Sequence, residues 1–321
     1  MPVWLSAIFI AAPTFAYAAL VRSIDHFEKE PPKYLVAAFL WGMLPAALLA
    51  LIAQVFLQVP TALLLGEEGA ASIGAALYAP ITEELAKGAA VAIIYAQRRR
   101  EFDGWADGIV YGSTAGFGFA YIENILYLAD TETLGEWLGL FFLRVIVLGF
   151  MHGFWTSLVG IGFGLARYAP RAELKAIYIG GGFVAAMLAH AVHNGSLVLA
   201  GLIGPQTLCA AMLNYGILIA LMIGLRFVSR RHDHEMFRTY LADEVPHTLS
   251  PQAYAALISF RRVSELPQPH RLFLQAAAEL AQRKKQQRRY NEPIPQEELE
   301  RWRGTLRQLS YPQLGTLARE G

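Results

Sequence analysis

Seven apolar runs dominate the chain, at 3–21, 34–59, 70–96, 106–128, 137–165, 176–202 and 207–228. Crossing a bilayer takes roughly 20 helical residues, so each run is long enough to span. The chain as a whole is 55% hydrophobic and only 17% charged, with a mean hydropathy of +0.35, which is too apolar for a soluble domain of this size. The expected fold is all-α: a polytopic membrane bundle of about seven transmembrane helices over residues 1–228, followed by a soluble helical tail over 229–321.

The loops carry an orientation signal, because short cytoplasmic loops are enriched in Lys and Arg. The first loop holds Arg22, Lys29 and Lys33, the third Arg98, Arg99 and Arg100, and the fifth Arg167, Arg171 and Lys175. The second, fourth and sixth hold none. This alternation predicts an N-terminus outside and a cytoplasmic tail, in the plasma (inner) membrane. AYA at 16–18 resembles a signal-peptide cleavage site. No positive charge precedes that run, however, and cleavage would put the first basic loop on the wrong side.

The tail reads as helices such as HRLFLQAAAELAQRKKQQRRY, broken by proline-bearing segments at 267–269 and 293–295. Its basic run RKKQQRR at 283–289 reads as a solvated helix face in preference to a surface for lipid headgroups or nucleic acid. No nucleic-acid partner is expected. The single cysteine, Cys209, allows neither an intrachain disulfide nor a cysteine-based metal site.

Ionisable residues inside membrane helices cost at least ~2.5 kcal/mol each near the centre, so they tend to be paired, inward-facing and functional. Here they are Glu83, Glu84 and Lys87 in the third run, Glu123 with Asn124 in the fourth, His152 in the fifth, and His190, His193 and Asn194 in the sixth. Counted from each helix's cytoplasmic end at a rise of roughly 1.5 Å per residue, Glu83, His152 and His190 all fall at a depth of ~20 Å, and Glu123 at ~26 Å with Asn194 near it. Four antiparallel helices therefore bring carboxylates and imidazoles to one layer.

Spacing within each helix refines that layer. His190 and Asn194 are four apart and share a face, with His193 flanking them. Glu83 and Glu84 diverge by roughly 100°, so both cannot face one substrate. Lys87 is within pairing reach of either. One glutamate is then expected to be held by Lys87 while the other, Glu83, stays available as a general base toward water. Gly112, Gly116, Gly118, Gly160, Gly162, Gly164 and the GGG at 180–182 allow close helix contact. GFGFAY at 116–121 is packing surface, because neither the preceding strand nor the lysine of a phosphate loop is there.

These residues resemble the PrsW-like intramembrane proteases, part of the larger group of CAAX prenyl endopeptidases and bacteriocin-processing homologues. The pieces that carry the resemblance are EELAK at 83–87, FAYIEN at 119–124, FMHGF at 150–154 and HAVHN at 190–194, with DHFEKEPP at 25–32 similar to the family's acidic, proline-bearing loop. The resemblance covers about residues 20–200. It implies an endopeptidase acting on a membrane-anchored protein, such as an anti-sigma factor in a stress-signalling cascade. It also implies catalytic roles for Glu83, Glu84, Lys87, Glu123, His152, His190 and Asn194.

Two mechanisms fit this set. In one, His152, His190 and Glu123 hold a zinc ion whose water is deprotonated by Glu83 or Glu84. In the other no metal takes part, a glutamate activates water directly, and His190 with Asn194 stabilises the oxyanion. A different class, a proton- or cation-coupled transporter or channel, would use the same acids and histidines as a relay. No repeat symmetry or pair of broken helices favours it.

Each residue also has a plainer reading. Glu84 with Lys87 would serve as a buried pair that fixes packing, and His193 and Asn124 as hydrogen-bonding or packing groups. Arg144 is expected to snorkel to the outer headgroups in preference to pairing with Glu123.

Overall fold

A computed structural model of the chain describes residues 2–24, 30–98, 101–259, 266, 267 and 269–311. Most of the DHFEKEPP stretch, at 25–29, lies outside the described residues, as do Arg99 and Arg100 of the third loop. All regular structure among the described residues is helical. Five stretches of it are long and apolar enough to cross a membrane, by length and composition: Val3–Arg22, Pro32–Gln97, Leu134–Ala166, Ala172–Ile203 and Pro205–Tyr240. Their outer faces carry large exposed side chains such as Phe56, Leu63 and Leu64, the surface expected where lipid is the solvent.

Helix α1 spans Val3–Arg22. Helix α2, Pro32–Trp41, opens on proline at its first turn, where a missing N–H costs nothing. It continues through a π-helical turn, Gly42–Ala46, into α3, Ala47–Ile73. Within α3, Gly66 takes φ 76°, a left-handed conformation that suits glycine, and reverses the chain. A second π-turn, Gly74–Tyr78, leads into α4, Ala79–Gln97. The two arms lie antiparallel: the hydroxyls of Thr61 and Tyr78 are 2.8 Å apart, and Gln54 donates to Thr82 Oγ1 at 3.2 Å.

Helix α5, Trp105–Ala129, is the centre of the bundle, and every residue from Asp107 to Ala120 is buried. It begins where the Asp107 carboxylate accepts the backbone N–H groups of Asp103 and Gly104, each at 2.8 Å, satisfying donors that a helix start leaves orphaned. Its glycines at 108, 112 and 116 meet the backbone of α7, Met151–Ala166, so tightly that a Cβ on Gly108 would run into the Gly160 carbonyl. Gly116 faces the carbonyl of His152 in the same way. This close approach sets His152 directly against α5.

The fifth apolar run is not one continuous helix. Thr133 and Glu136 form a capping box that starts α6, Leu134–Phe141, which passes into a π-helical stretch, Phe142–Val147. The helix then breaks over 148–150 before α7. Carbonyls freed at the break are satisfied by neighbours: Tyr17 donates to Val145 and Ile146 at 3.1 and 2.9 Å, and Tyr215 donates to Val147 at 2.8 Å. Broken backbone at membrane depth is tolerated only where such partners exist. Helix α8, Ala172–Ile203, ends at Gly204 with φ 114°, and α9 spans Leu208–Tyr240.

The described residues divide into two compact units, one of 2–24 with 30–223 and the other from 224 to 311. In the second, the end of α9 with α10 (Pro251–Leu257), α11 (His270–Tyr290) and α12 (Gln296–Ser310) encloses an apolar core that includes Phe237, Leu241, Phe273, Leu280 and Leu306. The basic run on α11 is solvated only at its end, where Arg288 and Arg289 are exposed. Gln282 to Gln286 are buried, Lys284 lies 2.6 Å from Asp243 and 2.5 Å from Glu244, and Arg283 lies 2.8 Å from Glu298. Asp243, Glu244 and Glu298 sit on other elements, which helical periodicity does not register, while Glu279, 3.2 Å from Arg283, lies four residues back on α11 itself.

Candidate active site

Four helices and the π-helical stretch converge on one buried polar cluster. From α4, Glu84 and Lys87 are both fully buried, and the Lys87 ammonium lies 2.6 Å from Glu84 Oε1. The same ammonium is 3.3 Å from Glu83 Oε2 and 3.0 Å from His152 Nδ1, and it sits over the Phe119 ring at 4.3 Å. Glu84 is spoken for on both oxygens: Oε1 also meets His190 Nδ1 at 3.1 Å, and Oε2 accepts the Thr156 hydroxyl at 2.9 Å.

Glu83 is held differently. Its Oε1 accepts a long hydrogen bond of 3.4 Å from Gln54, while Oε2 is buried and accepts none, having only the Lys87 charge beside it. The divergence of the two adjacent side chains thus sends Glu84 into the packing and leaves Glu83 with unused acceptor capacity.

Glu123 on α5 reaches His152 Nε2 at 2.8 Å through the same Oε2 that accepts Arg144 Nη2 at 2.8 Å. Arg144 also donates through Nε to Asn124 Oδ1 at 3.0 Å, and its guanidinium lies 3.7 Å from the centroid of the Tyr127 ring. Arg144 therefore turns inward to a core acid and does not snorkel. The π-helical winding of 142–147 and the break after it aim that side chain inward, and the sequence does not signal either.

The imidazoles are fixed from two sides. Trp155, one turn after His152, stacks on His190 with ring centroids 3.8 Å apart and 13° between planes. It meets His152 edge-on at 4.9 Å and His193 at 5.5 Å. Asn194 donates instead to the Ala75 carbonyl at 3.0 Å. Trp155, Thr156 and Gln54 were absent from the sequence-based set. Trp155 and Thr156 follow His152 by three and four residues, the spacing of one helix face, and that was the available signal.

A cleft of about 140 Å³ opens onto the cluster, lined among others by Glu123, His152, Trp155, His190, His193 and Asn194. Ligand-capable atoms of Glu83, His152 and His190 lie within 4.8 Å of one another. Two imidazoles and a carboxylate are a donor set of catalytic zinc sites. His190 suits that chemistry, because Glu84 takes its Nδ1 and leaves Nε2 open, whereas His152 has Glu123 on Nε2 and the Lys87 ammonium 3.0 Å from Nδ1, so a metal there requires Lys87 to turn away. The carboxylate grouped with the two imidazoles is that of Glu83, where the sequence suggests Glu123. The Glu123 carboxylate is occupied in holding His152 and Arg144.

A helical bundle with membrane-length apolar stretches and a buried glutamate–histidine cluster at the end of a cleft has the makings of a membrane-embedded hydrolase. The model of the PrsW family intramembrane metalloproteases matches residues 30–227, and the chain belongs to that family. It is 28% identical to Protease PrsW of Geobacillus kaustophilus (strain HTA426) over 190 residues, 58% of this chain and 77% of that protein. Over 75 residues, 23% of this chain and 32% of the relative, it is 37% identical to Protease PrsW of Bacillus subtilis (strain 168). No solved structure matches the chain significantly. The chain is a multi-pass membrane protease, and the comparisons give the transporter reading no support.

Proposed function

We propose that this protease hydrolyses a peptide bond of a membrane-anchored protein, in the manner of an anti-sigma factor or a similar single-pass substrate, with Glu83 as the group that takes the proton from water. The observation that carries the reading is Glu83 itself: a buried carboxylate whose Oε2 accepts no hydrogen bond and has the Lys87 ammonium 3.3 Å away, next to two oriented imidazoles.

Each neighbour has a separable task. Lys87 and Glu84 form the pair that keeps Glu83 in place, and Glu84 also orients His190. Glu123, steadied by Arg144, orients His152. The burial of the cluster excludes bulk water, which strengthens every electrostatic contact inside it. In the alternative, metal-dependent chemistry, Glu83, His152 and His190 are the residues that would hold a divalent metal such as zinc, which when bound would polarise the carbonyl and acidify a water, and Glu83 would then be a ligand and not the base. Asn194, adjacent to the cleft, is assigned to the substrate side, released from Ala75 when substrate enters.

The proposed topology is seven crossings with the N-terminus outside, supported by the loop charges and by the reversal at Gly66. On that topology the bundle is residues 1–228, and the tail, 229–321, faces the cytoplasm.

The test is cleavage in cells. Glu83→Gln and His190→Ala proteins should accumulate normally and leave uncut a membrane protein that wild-type protein cuts. That protein is identified by comparing new N-termini in membranes from wild-type and Glu83→Gln cells. Identical new termini in both would refute the reading.

A further inference from the structure

Hydrolysis inside a membrane sets a problem before any chemistry. The peptide groups of a membrane-spanning substrate are bonded within its own helix, and a carbonyl open to attack must first be unwound from it. The freed N–H and C=O groups then sit where water is scarce and leave their hydrogen bonds unmade. An enzyme that works there needs polar atoms that are themselves waiting for partners.

Two side chains in the cleft meet that description. The indole N–H of Trp155, a residue 1% exposed, has no hydrogen-bond acceptor, and Nδ1 of His193, a residue 9% exposed, has no partner either. Both residues line the same cleft as His152 and His190, with their rings 5.5 Å apart at 48°. An indole nitrogen can only donate, whereas an imidazole nitrogen can accept. Buried polar atoms are nearly always bonded, so two neighbouring residues of one cleft lining, one with an unmatched donor and the other with an unmatched ring nitrogen, are a feature to be explained. In an extended strand the N–H and C=O of one residue point to the same side, the pattern by which antiparallel neighbours exchange two bonds.

We propose that Trp155 and His193 form a subsite for one extended residue of the unwound substrate, Trp155 Nε1–H donating to its carbonyl oxygen and His193 Nδ1 accepting from its N–H. The ligand class is a polypeptide backbone, recognised independently of side chain. This rests on the protease reading above and adds the site that receives the unwound strand. Trp155 then has two roles, stacking on His190 through its face and holding substrate through its edge.

The test uses the full chain in detergent micelles, carrying Glu83→Gln so that nothing is turned over, with ¹⁵N-labelled tryptophan. The chain has six tryptophans, and the indole resonance lost in a Trp155→Phe variant belongs to Trp155. Phenylalanine keeps an aromatic ring against His190, and the remaining indole resonances report whether the fold is intact. The probe is the blocked residue N-acetyl-alanine-N′-methylamide, compared with its ester analogue, in which oxygen replaces the alanine N–H. The Trp155 resonance should shift saturably with the amide. The ester should bind about fivefold more weakly, the effect of one lost hydrogen bond, and His193→Phe should abolish that difference. A Trp155 resonance that neither probe moves, or equal binding of amide and ester to the His193 protein, overturns the proposal. Failure of the protease reading would show separately, as wild-type cleavage by Glu83→Gln cells.

Discussion

His152 Nε2 and Arg144 Nη2 meet on a single oxygen of Glu123, each 2.8 Å from it. One carboxylate thereby fixes an imidazole through Nε2 and is itself neutralised by a guanidinium brought in from the π-helical stretch. Groups that orient a reactive histidine in this way commonly change activity by about 10–100-fold when removed.

Arg144→Ala should therefore lower kcat by about 10–100-fold with little change in KM, since Arg144 acts through Glu123. Arg144→Lys, which keeps the charge but not the fork that reaches both Glu123 and Asn124, should recover part of it. Kinetics on the purified variants would check this. Equal activity of the Ala variant and wild type would remove Arg144 from the positioning chain.

Glu84 is expected to behave unlike its neighbour. Glu83→Gln removes the proton acceptor and should leave the protein folded. Glu84→Ala strips Lys87, Thr156 and His190 of a shared partner at a fully buried position, and breaking such a pair costs about 3–5 kcal/mol. Thermal unfolding in detergent, together with the amount of protein in the membrane, separates the two outcomes. Equal stability of both variants would contradict the division of labour between them.

Metal removal distinguishes the two chemistries that Glu83, His152 and His190 support. The expected result is about one zinc per chain in purified wild-type protein, lost with activity on chelation, restored by zinc, and reduced in His152→Ala and His190→Ala. Undiminished cleavage by protein with no bound metal would leave Glu83 as the sole activator of water.

The tail carries its own pH dependence. Burial pushes the Glu244 carboxyl up, but hydrogen bonds from Arg303, Lys284 and Thr248, with the Lys284 charge, outweigh it and hold the group down at about 2. A carboxylate depressed below its unfolded value of about 4.3 contributes stability that is fully present above that value and is lost as pH falls toward 2. Hydrogen exchange of α11 amides, corrected for intrinsic rates, should show protection falling across that window. Glu244→Gln should show weaker protection at neutral pH and a flatter acid limb. An unchanged acid limb would argue against this source of stability.

How far the site could be read in advance varies residue by residue. Glu83, Glu84, Lys87, Glu123, His152 and His190 could be picked out because ionisable groups are rare in apolar helices, and helical rise put them near one level. Lys87's reach to both glutamates followed from spacings of three and four. The partner of Arg144 did not follow, because it depends on a π-helical stretch and a helix break stabilised by Tyr17 and Tyr215, which are distant in sequence. The buried state of Lys284 is equally hidden, since Asp243 and Glu244, which receive it, come from another segment.

The sequence by itself determined that the chain is helical and lives in a membrane, because hydrocarbon leaves a backbone of such apolar length few other ways to satisfy its amides. It also determined which residues make up the polar layer. Only the tertiary structure decided which of two adjacent glutamates keeps an oxygen that accepts no hydrogen bond, which carboxylate holds which histidine, and that Trp155 and His193, each with an unpartnered ring nitrogen, line one cleft. Local spacing fixes the face of one helix, whereas hydrogen-bond partners are set by how several helices pack around α5, where glycines let backbones approach and the remaining side chains compete for a limited set of donors and acceptors.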